Sequence, residues 1–280
     1  MVFAEIDAHK MHVYAAGNEN GPGLVFMSGS GTVSPEYDFK ILYEKLSDDH
    51  RIIVVEKFGY GYSDLYEGPC GIDSAVDFQR EALAKAGEKG PYILLPHSMA
   101  GLEAIRWKQK YPQEVSAVIG LDMAVPAVYL NWDRKQIEQR IRYMRKLRWL
   151  NSHGLLFWYP LSMRGLDRDE IRQHKKLLRR NAMNPCIENE AKAVMENAGT
   201  VDAAGGIDSP VLMFISDGKQ VSSGWIDHAV DFAGRVNAKT VFLDCGHYVH
   251  YYESERISRE IRAFLQQIHR ETTEYGDPGK

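Results

Sequence analysis

The segment Tyr92-Ile-Leu-Leu-Pro-His-Ser-Met-Ala-Gly101 runs a short apolar stretch into a serine, and helix-forming sequence follows. A serine at the junction of a buried strand and a helix is lifted out by a sharp turn, whose crowding asks for small neighbours two positions away, here Pro96 and Ala100. Such a hydroxyl is a nucleophile only if a base lies within hydrogen-bond reach; without one it serves as a helix N-cap. The segment Asp244-Cys-Gly-His-Tyr-Val-His-Tyr-Tyr-Glu-Ser254 offers that base, because it follows an apolar strand and precedes a closing helix. His247 is preferred in this role, and His250 is its competitor. Ser98 and His247 together would carry acyl transfer through a serine ester.

The elements that must position them are legible as rhythm. Gly23-Leu-Val-Phe-Met27, Arg51-Ile-Ile-Val-Val55, Tyr92-Ile-Leu-Leu95 and Ala117-Val-Ile-Gly-Leu121 are of strand length and apolar without alternation, which marks strands covered on both faces. Helical stretches over 74–87 and 101–111 lie between them, so the pattern is a doubly wound parallel sheet. Residues 4–15 alternate as an antiparallel edge hairpin, with Gly17-Asn-Glu-Asn-Gly21 as the turn signal. Strands resume at 210–215 and 239–243, and a helix over 254–269 closes the chain.

Between them, residues 126–206 carry no strand signal and read as an inserted helical subdomain, with the core formed by 1–125 and 207–280. Two long basic helices flank an aromatic stretch, with fourteen Lys or Arg against five Asp or Glu over 131–180 in a chain of net charge -4. Basic residues at helical spacing usually form a solvated face; contact with an acidic substrate, an anionic membrane surface or a partner is the functional alternative. Trp149, Phe157, Trp158 and Tyr159 are expected to pack this insertion onto the core, one or two of them lining a pocket.

The overall charge gives no pull toward nucleic acid. Three cysteines, Cys70, Cys186 and Cys245, are an odd number in a chain too large to need staples and read as free thiols of a reducing compartment. The first residues lack a signal-peptide pattern, so a cytoplasmic location is expected, with a preceding N-terminal anchor left open. Neither G-x-x-x-x-G-K-[ST] nor G-x-G-x-x-G occurs, and no cofactor or metal is expected.

The order of serine, acid and histidine on a parallel sheet with a late insertion resembles the α/β-hydrolase family over nearly the whole chain. Met27-Ser-Gly-Ser-Gly31 stands where that family often has His-Gly-x, and Glu56-Lys-Phe-Gly-Tyr-Gly-Tyr-Ser63 is similar to its Asp-x-x-Gly-x-Gly-x-Ser turn. The resemblance implies an α/β fold with a doubly wound, mostly parallel eight-stranded sheet, a helical cap and an oxyanion hole from the N–H groups of Ser30 and Met99. Pro96 and Ala100 depart from the family's G-x-S-x-G. The acid has two candidates. Asp217 follows the strand where many relatives carry it, and Asp122 lies in Gly120-Leu-Asp-Met-Ala124, which resembles the Gly-Leu-Asp-Pro-Ala of animal lipases. Asp122 is preferred.

What the resemblance implies is a serine hydrolase of carboxylic esters or related acyl compounds, its partner a small-molecule acyl substrate. Relatives that open epoxides or remove halide use an aspartate nucleophile, so Ser98 argues against them. A proline-aminopeptidase-type peptidase would need acidic cap residues, against which the basic cap argues. A small-ligand receptor of the same fold is the alternative from another class.

Overall fold

In β3 (Gly23–Met27), Leu24 and Phe26 point to one side of the sheet and Val25 and Met27 to the other, and all four are buried. The same two-sided burial holds along β4 (Arg51–Glu56), β5 (Tyr92–Ser98), β6 (Val115–Met123) and β7 (Val211–Ile215). With β8 (Lys239–Phe242), β1 (Val2–Ile6) and β2 (His9–Gly17), they form one eight-stranded sheet in the order β1-β2-β4-β3-β5-β6-β7-β8. β2 runs antiparallel to both of its neighbours, and every pairing from β4 to β8 is parallel. The computed structural model describes residues 2–68, 71–156, 159 and 161–275, the last four by backbone alone.

Strands that are apolar on both sides require a helical layer on each. On one face α1 (Pro35–Tyr43) and α10 (Ser254–Tyr275) set Phe39, Leu42, Ile257 and Ile261 against Leu24 and Phe26. On the other, α2 (Ile72–Lys85), α3 (Ala100–Lys110) and α8 (Trp225–Arg235) bring Val76, Leu102, Ile105 and Phe232 to the layer holding Val25 and Met27. A short helix, α9 (Val249–Tyr252), precedes α10.

Between β6 and β7 the chain forms α4 (Pro126–Leu130), α5 (Arg134–Ser152), α6 (Arg168–Asn181) and α7 (Pro185–Ala203). Asp133, Asp167 and Asn184 cap the last three by accepting backbone N–H groups of their first turns. Met144, Leu147, Leu177, Leu178 and Ile187 pack with Val33, Tyr37 and Tyr60 of the core, which seats the insertion over the loops after β3 and β4. Two basic helices were expected here, and α5 and α6 are those; the insertion also holds the short α4 and the long α7, which is apolar along Ile187, Ala191, Val194, Ala198 and Val201. Most basic side chains of α5 and α6 face solvent, while Arg145 and Arg148 converge on Glu188. Trp149 is exposed and Tyr159 packs at the edge of the insertion's cluster; Phe157 and Trp158 lie outside the described residues.

The edge hairpin is turned elsewhere than expected. The reversal between β1 and β2 falls at Asp7-Ala8, both with positive φ, and residues 17–21 instead carry β2 into β3. Aspartate tolerates this geometry but alanine rarely adopts it, so no residue type announced the turn. Cys186 and Cys245 carry thiols, and Cys70 lies outside the described residues. Among the described residues no helix is long and apolar enough to cross a membrane.

Candidate active site

Ser98 ends β5 with φ +53°, the left-handed region that a residue with a Cβ enters only when its surroundings force it. Two close approaches do so. A Cβ on Gly29 would stand 2.6 Å from Cβ of Ser98, so the loop after β3 presses its bare backbone onto the serine. A Cβ on Gly101 would stand 2.1 Å from the carbonyl oxygen of Ala124, so α3 leaves the turn in contact with the end of β6. The Ala124 N–H also donates to the Ser98 carbonyl at 2.8 Å. The strict glycine thus falls at 101, one position later than the family pattern has it, and the Ala100 methyl is accommodated.

Asp122 lies near the end of the neighbouring strand β6, also at positive φ, and is 1% exposed. Its Oδ1 accepts from the Ser216 N–H at 2.9 Å and the Trp225 indole N–H at 3.1 Å. Its Oδ2 accepts from His247 Nδ1 at 2.6 Å. Because an ionised carboxylate only accepts, this bond places the proton on Nδ1 and leaves the His247 Nε2 lone pair available. Asp217 is directed elsewhere: its Oδ1 accepts from the Lys219 N–H at 3.0 Å and its Oδ2 from Lys219 Nζ at 2.9 Å, which lowers its pKa. The turn after β7 thus closes on itself through that carboxylate. His250 is fully buried and meets Asp38, with Nε2 3.2 Å from Oδ2.

His97 was missed by the sequence reading. Its Nε2 lies 3.2 Å from the His247 carbonyl, which can only accept, so Nε2 carries the proton. Burial, reinforced by the two neighbouring histidines, holds its pKa well below the usual value and keeps the ring neutral. The His97 and His247 rings are 4.6 Å apart, so the residue before Ser98 braces the histidine loop, and Gln220 Oε1 accepts the His247 N–H at 3.1 Å. The adjacency of His97 to Ser98 was the available signal; nothing in the sequence marked Trp225 or Gln220.

Ser30 sits in the loop that presses on Ser98, and Met99 opens the first turn of α3. The N–H of the following Gly31 donates to Tyr60 Oη at 3.3 Å, and Tyr60 Oη donates to Glu190 of α7 at 2.6 Å. Glu190 also accepts from Lys57 Nζ at 2.5 Å, and Lys57 reaches Glu103 of α3 at 2.6 Å. Burial alone would lower the Lys57 pKa, but the two carboxylates prevail and raise it well above its usual value. One buried chain of hydrogen bonds therefore joins the Ser30 loop, the inserted helices and the helix that starts at Met99.

Glu56, expected within the turn after β4, accepts from the Tyr62 N–H at 2.7 Å, the Glu36 N–H at 3.3 Å and His12 Nδ1 at 2.9 Å. Glu56, His12 and Glu36 form a cluster with metal-ligand spacing among the described residues. Those bonds already engage the Glu56 carboxylate in holding backbone, so the cluster reads as a pin for the turn.

The chain belongs to the alpha/beta hydrolase family, whose model matches residues 24–260. It is 31% identical over 277 residues to the uncharacterized protein YbdG of Bacillus subtilis (strain 168), covering 94% of this chain and 85% of that one. Its fold is similar to the haloalkane dehalogenase DbeA-M1 loop variant of Bradyrhizobium elkanii, with TM-score 0.73 and 17% identity over 98% of both chains. It is also similar to the candidate lipase lip1 of Acinetobacter baumannii AYE, with TM-score 0.74 and 16% identity over 96% of this chain and 92% of that one.

Proposed function

We propose that the protein is a serine hydrolase that cleaves a carboxylic ester through an acyl-enzyme, with Ser98 as nucleophile, His247 as base and Asp122 as the acid that orients it. The observation that carries this reading is the 2.6 Å bond from His247 Nδ1 to buried Asp122, made beside the strained turn that ends on Ser98. In the first half-reaction His247 Nε2 takes the Ser98 proton as Oγ attacks the ester carbonyl. The tetrahedral oxyanion is met by the N–H groups of Ser30 and Met99, and the alcohol leaves with the proton that His247 returns. Water then repeats the cycle on the acyl-serine and releases the acid. Asp122 keeps the imidazole in the required tautomer and stabilises the imidazolium formed in each step.

Displacement of halide from carbon by the relatives' route needs a carboxylate nucleophile, and the turn here presents a hydroxyl. A fluorophosphonate probe tests the reading. It is expected to label the wild-type protein covalently and to leave Ser98→Ala unlabelled; folded wild-type protein that resists the probe would overturn the assignment.

A further inference from the structure

α5 turns one face inward, where Met144 and Leu147 pack with Val33, Tyr37 and Tyr60. On the opposite face Lys135, Arg142, Lys146 and Trp149 recur at i, i+7, i+11 and i+14, all of them exposed. On α6 the exposed row is Arg168, Arg172, Lys175 and Arg179, with buried Leu177 on the other side. Asn151 Nδ2 donates to the Arg179 carbonyl at 2.9 Å, so the two helices meet where each row ends.

A face that serves only water gains by setting opposite charges one helical turn apart, and other helices of this chain do so. Lys40 meets Glu44 at 3.4 Å, Lys85 meets Glu81 at 2.7 Å and Lys192 meets Glu188 at 2.9 Å. The two basic rows do the reverse. Arg142 and Lys146, Arg168 and Arg172, and Lys175 and Arg179 stand four residues apart with like charge, a spacing that costs helix stability. Arg172 pairs with Asp169 at 2.9 Å, but among the described residues Lys135, Arg142, Lys146, Lys175 and Arg179 make no ion pair, and neither does Glu138, the one acid within α5. Repulsion kept on both helices calls for an anionic surface that relieves it.

What sits among the cations decides the class of that surface. Tyr143, Trp149 and Leu155 are 58%, 56% and 45% exposed, and the Trp149 ring rests against His153 with centroids 4.3 Å apart. Residues 154–161, Gly-Leu-Leu-Phe-Trp-Tyr-Pro-Leu, carry no charge. Tyr and Trp rings favour the headgroup level of a bilayer, and cations beside them favour anionic headgroups. A nucleic acid or an acidic protein would match the cations, whereas the acyl boundary of a bilayer also takes up the aliphatic Leu155. We propose that the outward faces of α5 and α6 dock the protein onto a bilayer rich in anionic phospholipid, the cations meeting headgroup phosphates while Trp149 and Leu155 enter the headgroup layer. No helix among the described residues can cross a membrane, so the contact is peripheral. It does not depend on the reaction at Ser98.

The test is flotation of the full chain with vesicles of phosphatidylcholine alone or of phosphatidylcholine mixed with phosphatidylglycerol, at about 0.15 M salt. Binding is expected to the anionic vesicles only, and to weaken as salt is raised to about 1 M. With each cation at the surface contributing about fivefold, Arg142→Gln combined with Lys146→Gln is expected to lower partitioning about 25-fold. Arg256→Gln combined with Arg259→Gln removes the same charge from exposed positions of α10 and is expected to leave partitioning nearly unchanged. Trp149→Ala is expected to weaken binding with the charge kept. Because the α5 pair relieves repulsion, it is also expected to unfold at no lower urea concentration than the wild type. Equal binding to the two vesicles, binding to neither, equal losses in the α5 and α10 pairs, or capture of single-stranded RNA in preference to anionic vesicles would overturn the proposal; should a variant fail to fold, the wild-type comparison decides.

Discussion

Trp225 donates its indole N–H to Oδ1 of Asp122 at 3.1 Å, which leaves Oδ2 for His247 at 2.6 Å. The carboxylate is fully buried, held by the backbone of the turn after β7 and by the first residue of α8, so the side chain behind His247 is fixed from two further elements.

Removing the carboxylate's charge while keeping its shape separates the two aspartates. Asp122→Asn is expected to lower kcat on a p-nitrophenyl ester on the order of 10⁴-fold, because the amide no longer fixes the imidazole tautomer. Asp217→Asn, whose carboxylate serves Lys219, is expected to leave kcat within about twofold. A large loss in the second variant with little in the first would reverse the assignment.

The indole contact has its own signature. Trp225→Phe keeps the ring bulk but withdraws a donor from a buried charge, a bond of about 1.5 kcal/mol. Because that support holds the charge that faces the imidazolium in the proposed transition state, kcat is expected to fall about tenfold. Steady-state kinetics on one p-nitrophenyl ester checks this, and an unchanged kcat would contradict it.

The Lys57, Glu103 and Glu190 cluster is predicted to matter most when broken unevenly. Lys57→Met leaves the buried Glu103 and the partly buried Glu190 carboxylates without their counter-ion and is expected to cost about 3 kcal/mol in urea unfolding. Adding Glu103→Gln and Glu190→Gln to that variant is expected to recover much of the loss. A triple variant no more stable than the single one would contradict the buried-charge account.

Burial, with the Glu56 carboxylate beside it, pushes the pKa of Glu36 up to about 7 from 4.5. The folded protein therefore holds a proton that the unfolded chain has released, and stability is expected to fall as pH rises from about 4.5 to 7 and then level off. The full effect of this shift is about 3 kcal/mol. Glu36→Gln is expected to flatten that slope and to be the more stable protein at pH 8, as read from denaturant midpoints. An unchanged slope would place the titrating group elsewhere.

How far the sequence could be read depended on whether a residue's partner was near it along the chain. The core strands were legible because burial on both faces writes itself as an uninterrupted apolar run. The places of Ser98 and His247 were legible because one ends β5 and the other lies in the loop after β8, on the edge to which the sheet delivers side chains. Asp122 could only be preferred over Asp217, since one lies at the end of a strand and the other just after one on that edge, and the groups that hold the Asp122 carboxylate, Ser216 and Trp225, are remote in sequence. The link from Gly31 through Tyr60 to Glu190 spans more than 150 residues, and Glu190 sits in a helix of ordinary composition that carried no signal. The Asp7-Ala8 reversal stayed hidden because its geometry is imposed by strand pairing, not by residue type.

The bond between His247 and Asp122 closes a gap of 125 residues, and the whole insertion is synthesised inside that gap. At roughly 5–20 residues per second, a nascent chain carries Ser98 and Asp122 for about ten seconds before His247 is even made. Translation thus makes Ser98 and Asp122 before the insertion and His247 after it, and a chain cut short within the insertion has the hydroxyl and the carboxylate but lacks the imidazole that Asp122 bonds.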